Sequence, residues 1–356
     1  MSTGLDARAG VSESLPSGVR ATLSATVVRP SWVALGAAVL LAPVLTDVPR
    51  AVVYAPFVLS VVLFGLPHGA VDHLAPARTV GGSRRRSVVL VTLLYLVVGS
   101  VYLAWWFLEP VSAAVFFVLL TWFHWGQGDV YALLAFVDAD HLPTRAERGL
   151  ALVVRGGLPM VAPLAFHPVA YRRVVRAFVA IFDGPVGALD PFFTPEARLA
   201  AGGGLFALTL LAVVLGGWRV RTGVCRRPWL VDGGELGLLW LFFAALPPVL
   251  AVGLYFTLWH ALRHIARLLL VDPPAVTALV AGDPGRALRR FARDAAPLTV
   301  VSLALIGGLA LVVPASPAAL ASTPDGLLAL YLVGIAVLTL PHVVVVTWMD
   351  RVQGVW

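Results

Sequence analysis

Cysteine is nearly absent from this sequence, and lysine is absent altogether. The single cysteine, Cys225, lies beside arginines, so the chain can build neither a disulfide framework nor a thiolate metal site. Only 13% of the residues are charged, whereas a soluble globular protein carries about 25%. This scarcity of charge indicates that water is not the solvent for most of the chain.

Apolar residues take the place of the missing charges. They make up 59% of the sequence, and the mean hydropathy is +0.89 over the whole length. A membrane-spanning helix needs about 20 apolar residues, and we identify ten candidate helices, at residues 31–47, 51–73, 87–108, 111–137, 149–166, 199–217, 229–246, 249–271, 295–313 and 326–349. The first is short and the fifth contains Arg155. The predicted fold class is therefore all-α, a polytopic transmembrane helix bundle of about 8–10 helices.

The placement of the arginines predicts how the bundle is oriented. The net charge is +7, but the arginines cluster between apolar runs, which points to topology and not to nucleic-acid binding. With the N-terminus inside, eighteen arginines fall in cytoplasmic segments and five in outer segments, as the positive-inside rule requires. We therefore predict a polar cytoplasmic segment over 1–30, a transmembrane helical domain over 31–349 and a cytoplasmic tail over 350–356. In the 167–198 segment, arginines beside apolar residues predict an amphipathic helix at the membrane surface.

Histidine is the informative residue type in this apolar background. Ionisable residues inside a membrane are costly and usually functional. Two of the eight histidines, His141 and His167, fall in predicted loops and are expected at the surface. The other six lie in predicted helices, at His68, His73, His124, His260, His264 and His342. One buried histidine is usually a structural hydrogen-bonding residue, but six in the helices of one chain predict a shared metal or haem site.

The spacing of these histidines indicates which of them can act together. His260 and His264 are separated by four residues, so both imidazoles can reach one metal ion from one helix face. His68 shares a face with Asp72 for the same reason. His124 lies near the middle of the fourth predicted helix. Without a usable thiolate, a site built from imidazoles suits iron, copper or zinc.

Other polar and aromatic residues near the histidines are expected to orient the imidazoles or to line a substrate tunnel. Asp72 and Asp129 are expected to orient imidazole N–H groups and not to bind the metal. His73 and His342 are expected to be additional ligands or to support the ligands. Four aromatic residues are candidates for lining an apolar substrate tunnel, namely Trp122, Trp125, Tyr255 and Trp259.

Four motifs resemble those of one known family. They are GLPHGAVDH at 65–73, FHWGQGD at 123–129, YFTLWHALRH at 255–264 and LPH at 340–342. In this order they resemble the Brp/Blh family, the membrane-bound bacteriorhodopsin-related proteins and their homologues, β-carotene 15,15′-dioxygenases. The resemblance extends from about residue 50 to about residue 350.

The resemblance implies a specific reaction and a specific ligand set. It implies oxidative cleavage of β-carotene at its central double bond, with O₂ as co-substrate, to give two molecules of retinal. Carried over motif by motif, the catalytic Fe(II) ligands are His68, His124, His260 and His264. The implied partners are β-carotene and membrane lipid in the cell membrane, and a retinal-using rhodopsin is the downstream user of the product.

Three other functions remain open from the residues alone. A di-iron lipid desaturase or hydroxylase usually contains an HxxHH box, and the sequence has no adjacent pair of histidines. A bis-histidine haem protein for electron transfer would need paired histidines on facing helices. A transporter with a histidine proton relay would be expected to show inverted repeats or broken helix pairs, and we find neither in the sequence.

Overall fold

The computed structural model describes residue 15, residues 17–45 and residues 48–356. The described residues form helices joined by short connections, and no strand occurs among them. The ten long helices, numbered α1 to α10 in chain order, are Gly18–Leu40, Ala51–Gly69, Arg84–Leu108, Pro110–Ala132, Arg145–Phe166, Pro195–Arg221, Arg226–Ala245, Pro248–Leu270, Pro284–Val312 and Pro324–Val352. The predicted all-α helix bundle is thus confirmed.

Eight of these helices are long and apolar enough to cross a membrane. The other two, α4 and α7, have 23 and 20 residues. These two helices are long enough but less apolar, because they carry buried polar side chains, including His124 and Asp129 on α4 and Asp232 and Glu235 on α7. The chain is a multi-pass membrane protein, and these polar side chains of α4 and α7 lie in its interior.

The first helix begins earlier than the sequence predicted. Residues 1–14 and 16 of the expected polar segment lie outside the described residues, but α1 begins at Gly18 and not near residue 31. Val19, Leu23 and Val27 are buried, and their four-residue spacing places them on one helix face. Polar residues between them lower the local hydropathy, so hydropathy alone did not predict a helix here.

Shorter helices connect the long ones. They are Ala42–Leu45, Ala75–Val80, Pro168–Ala180, Pro273–Val280 and Pro317–Ala321, with a 3₁₀ segment at Val186–Phe193. Three π-helical segments also occur, Ser24–Val28 within α1, Leu133–Val137 after α4 and Phe256–Ala261 within α8. Single π-turns widen a helix and are frequent at functional sites.

The predicted amphipathic helix forms between α5 and α6, over Pro168–Ala180. Its apolar side buries Phe178 and Val179. On its other side, Arg172 and Arg176 each approach Asp190 to 2.6 Å. Hydrogen bonds from these two arginines hold the pKa of the Asp190 carboxyl below its usual range. The helix therefore presents charge to one side and apolar surface to the bundle.

Glycine lets α4 and α5 approach each other closely. A Cβ added at Gly126 would lie 2.2 Å from the carbonyl oxygen of Leu152, and one added at Gly156 would lie 1.9 Å from that of Trp122. Small residues are how membrane helices bring their backbones together. This contact fixes α4, and with it His124, against the rest of the bundle.

Candidate metal centre

His68 lies in the last turn of α2, where the helix is interrupted before Gly65–Gly69. Gly65 permits this turn to pack tightly, since a Cβ there would lie 2.5 Å from the Ser60 carbonyl oxygen and 2.7 Å from the Phe256 ring. The Nδ1 atom of His68 is hydrogen-bonded to the carbonyl oxygen of Gly65. This bond makes Nδ1 the donor, so the Nε2 lone pair of His68 is available to a metal ion.

Helices α4 and α8 supply three more imidazoles. His124 projects from α4, and its Nε2 atom lies 3.1 Å from that of His260. His260 lies in the π-helical segment Phe256–Ala261 and His264 in the α-helical turn after it. Their rings are nearly parallel, with 13° between the planes and 6.5 Å between the centroids. The π-turn thus sets how the HxxxH pair faces the other helices.

The four histidines converge on one buried space. All six ring-centroid separations among His68, His124, His260 and His264 fall between 4.7 and 6.5 Å. Two imidazole nitrogens bound to one ion at about 2.1 Å can lie about 3 Å apart, which is the separation of the His124 and His260 Nε2 atoms. The same separation leaves no room for a haem iron between these two nitrogens.

A second group of potential ligands adjoins the first. The side chains of His68, His124 and His260 can hold a metal ion, and so can those of Asp72, His264 and His342. Within each group the ligand atoms lie within 4.8 Å of one another. His342 is 5.0 Å from His264 and 4.8 Å from His124 between ring centroids. The two groups therefore form one cluster of five histidines and one carboxylate.

Unpaired nitrogen atoms test whether a metal ion suits this cluster. Nδ1 of His124, both ring nitrogens of His264 and Nε2 of His342 are buried without a hydrogen-bond partner among the described residues. Buried polar atoms nearly always have a partner, so four orphaned nitrogens in one place require an explanation. A metal ion bound to one ring nitrogen of His264 and to Nε2 of His342 would account for two of the four, and the donor set therefore fits a transition metal.

The remaining predicted histidine and acidic residues take different places. Asp72 accepts a hydrogen bond from Nδ1 of His342 at 2.7 Å, the orienting role expected for it. His73 is half-buried and its Nδ1 is bonded to the carbonyl oxygen of Ala70, beside the cluster and not in it. Asp129 differs from its expectation, because its hydrogen bonds come from Arg155 and Trp259 and not from an imidazole.

The partners of Asp129 belong to a buried charge network that the sequence reading missed. Arg155, fully buried on α5, approaches Asp129, Asp232 and Glu235 to between 2.6 and 3.0 Å. Arg263 on α8 pairs with Glu235 at 2.6 Å. A buried arginine is stable only with such compensating carboxylates. An arginine within an apolar helix and two acids three residues apart in another were the signals that could have revealed this network.

His141 is also part of this network, which corrects the expectation that it is a surface residue. Its side chain is 1% exposed, and its Nε2 lies 2.9 Å from a carboxylate oxygen of Asp232. His167 is half-buried, with its Nε2 at 2.9 Å from the carbonyl oxygen of Ala244. Both loops fold back against α7, an arrangement that local hydropathy does not encode.

An apolar cavity extends from the histidine cluster to the amphipathic helix Pro168–Ala180. His68 and His124 form part of its wall. Most other lining residues are aliphatic or aromatic, namely Phe57, Phe117, Val118, Trp125, Pro159, Met160, Tyr171, Val174, Val175, Phe178, Pro248, Val249, Val252, Phe256, Leu328, Leu332 and Ile335. The cluster therefore faces an environment suited to an apolar molecule.

Only one of the four aromatic tunnel candidates lines this cavity. Trp125 does so, whereas Trp122 points to α5 and donates to the carbonyl oxygen of Val153. Tyr255 and Trp259 are fully buried in the neighbouring apolar core. They lie on the side of α8 that meets the charge network, where Trp259 donates to Asp129. Phe256, which was not among the candidates, lines the cavity instead.

Comparison with known proteins identifies the family. Residues 59–350 match the family described as Beta-carotene 15,15'-dioxygenase. The chain is 49% identical over 339 residues to "Probable beta-carotene 15,15'-dioxygenase Blh" of Halobacterium salinarum, covering 94% of this chain and 95% of that protein. It is 35% identical over 321 residues to "Probable beta-carotene 15,15'-dioxygenase Brp" of the same species, covering 87% of each.

A more distant relative comes from an uncultured marine bacterium, 66A03. It is named "Beta-carotene 15,15'-dioxygenase" and is 22% identical over 216 residues, covering 58% of this chain and 66% of the relative. No solved structure matches the chain. The matched residues of the family include the whole histidine cluster, and the chain belongs to the β-carotene 15,15′-dioxygenase family.

Proposed function

We propose that this protein is a membrane-embedded non-haem iron oxygenase that cleaves β-carotene at the 15,15′ double bond with O₂. The central C=C bond breaks, and each of its carbons becomes the aldehyde carbon of one retinal. The observation that carries the proposal is the opening of a polyhistidine cluster into an apolar cavity inside a membrane protein. The names of the relatives support β-carotene as the substrate.

The proposed metal ligands are His68, His124, His260 and His264. An all-imidazole donor set suits iron, copper or zinc, and among these we propose Fe(II), in keeping with the dioxygenase family. Iron supplies the activation of O₂ when it is bound. The four imidazoles would hold the ion at a site buried from solvent.

The chain's own residues would position the substrate. Trp125 and Phe256 present aromatic faces beside His68 and His124, and such rings can hold a conjugated polyene against the metal. Fixing the reacting bond in one place is a large part of catalysis. Tyr171 and Phe178 of the amphipathic helix also line the cavity. A substrate dissolved in lipid would reach the cavity beside this helix.

Expression in bacteria that accumulate β-carotene tests the reaction directly. Cells that make the protein should lose their orange colour and accumulate retinal, detected by liquid chromatography of the extracted pigment. A His68→Ala variant inserted at the same level is the matched control and should leave the pigment intact. Unchanged β-carotene beside correctly inserted, iron-loaded wild-type protein would refute the proposed function.

We further propose that the protein lies in the cell membrane with both termini in the cytoplasm. Ten alternating crossings would return the chain to the side on which it began, and the arginine-rich connections support the cytoplasm as that side. Membrane lipid surrounds the bundle, and a retinal-binding rhodopsin would use the product. A C-terminal fusion to a reporter that is active only in the cytoplasm should be active; an inactive fusion would reverse the orientation.

A further inference from the structure

His342 lies within the histidine cluster, although it is far from the other histidines in sequence. It lies on α10, directly after Pro341. Its ring centroid is 5.1 Å from that of His68, 4.8 Å from that of His124 and 5.0 Å from that of His264. These separations lie within the range that the four proposed ligands show among themselves. His342 thus lies as close to three of the four proposed ligands as those ligands lie to one another.

The hydrogen bonds of His342 fix which nitrogen faces the cluster. Its Nδ1 donates to a carboxylate oxygen of Asp72 at 2.7 Å, and the same oxygen accepts from the Tyr95 hydroxyl at 2.6 Å. Its Nε2 is buried without a hydrogen-bond partner among the described residues. An imidazole whose N–H is held by a carboxylate is the usual form of a metal-binding histidine. The Nε2 lone pair is thus available to an ion.

We infer that His342 is a fifth imidazole ligand of the metal and that Asp72 and Tyr95 position it. The inference rests on the proposed function, because it concerns the same ion. Two imidazoles that share one ion lie at most about 6.5 Å apart between ring centroids, given a metal–nitrogen bond of about 2.1 Å. The three separations measured for His342 satisfy this limit.

The same residues permit one competing arrangement. Asp72, His264 and His342 can form a site of their own, which would give two ions in each chain. The shared position of His342 among His68, His124 and His264 favours one centre, since a purely separate site would not require it to lie equally close to all three. The number of ions per chain distinguishes the two arrangements.

X-ray absorption of the iron-loaded, purified full-length protein tests the inference. We expect one iron per chain, with five histidine nitrogens in the wild type and four in His342→Gln. We also expect the iron dissociation constant of His342→Gln to rise at least about tenfold. His73→Gln, which alters a histidine beside the cluster, should change neither the nitrogen count nor the affinity.

Two milder variants keep the test decisive if His342→Gln does not fold. Tyr95→Phe and Asp72→Asn retain the side-chain shape and alter only the support of His342, so iron affinity should fall by about 10–100-fold in Asp72→Asn and by less in Tyr95→Phe. Four histidine nitrogens in the wild type, two irons per chain, or unchanged iron affinity in Asp72→Asn would each overturn the inference. Five-nitrogen coordination without carotene cleavage would instead overturn the proposed function and leave the ligand assignment standing.

Discussion

Asp129 on α4 accepts a hydrogen bond from the indole N–H of Trp259 on α8 at 3.0 Å. Trp259 is the residue before His260, and the Arg263 guanidinium stacks on its ring at 3.7 Å from the centroid. The charge network and the histidine cluster are therefore neighbours along the same two helices. This arrangement ties the position of His260 to interactions that contribute no metal ligand.

Removal of a proposed ligand should abolish iron binding and carotene cleavage together. His124→Ala or His264→Ala takes away an imidazole that other side chains in the buried site cannot replace. Iron content by elemental analysis and retinal formation are the two measurements. His73→Ala is the control and should retain both. Full activity in either ligand variant would remove that histidine from the ligand set.

Arg155→Met should destabilise the fold strongly. The substitution leaves Asp129, Asp232 and Glu235 buried without the cation that contacts all three. Breaking a buried ion pair by removing one partner costs about 3–5 kcal/mol. Thermal unfolding in detergent should show a large drop in the midpoint. Arg221→Met, at an exposed position, should unfold near the wild-type temperature; an equal drop in both variants would contradict this role.

Gly156→Ala should disrupt the contact between α4 and α5. The added methyl group would meet the Trp122 carbonyl oxygen at 1.9 Å, so the helices must separate. Gly149→Ala is a matched control on the same helix, because a Cβ there meets nothing within 4 Å. We expect a lower unfolding temperature and weaker iron retention for Gly156→Ala alone. Wild-type behaviour of this variant would show that the close contact is dispensable.

Filling the cavity should impair catalysis without removing the metal. Leu332 on α10 lines the cavity, and Leu332→Trp would place an indole where the polyene is proposed to lie. Retinal formation should fall at least about tenfold, the equivalent of about 1.4 kcal/mol in the barrier, with iron content unchanged. Leu327→Trp, at a position 51% exposed on the same helix, serves as control. Undiminished cleavage by Leu332→Trp would exclude this cavity as the substrate site.

Much of the fold and part of the site follow from residue patterns. Long apolar runs predicted the helices, and the histidines within them predicted a cluster that the structure brings together. The predictions failed where packing between distant segments decides the outcome. Asp129 was expected beside an imidazole, but it forms an ion pair with the buried Arg155, whose charge requires a carboxylate partner. His141 does lie in a loop, but it was expected at the surface and is instead buried beside Asp232.

The sequence by itself determined the solvent and the chemistry of this protein. Its hydropathy requires lipid, and histidines without cysteine restrict the metal ligands to imidazoles and carboxylates. Only the tertiary structure decided which histidines meet, because helices α2, α4, α8 and α10 are far apart in sequence and converge through packing. Neither hydropathy nor residue spacing specifies a contact between distant helices. Only the packing of these helices brings His342 next to Asp72, which also accepts from Tyr95.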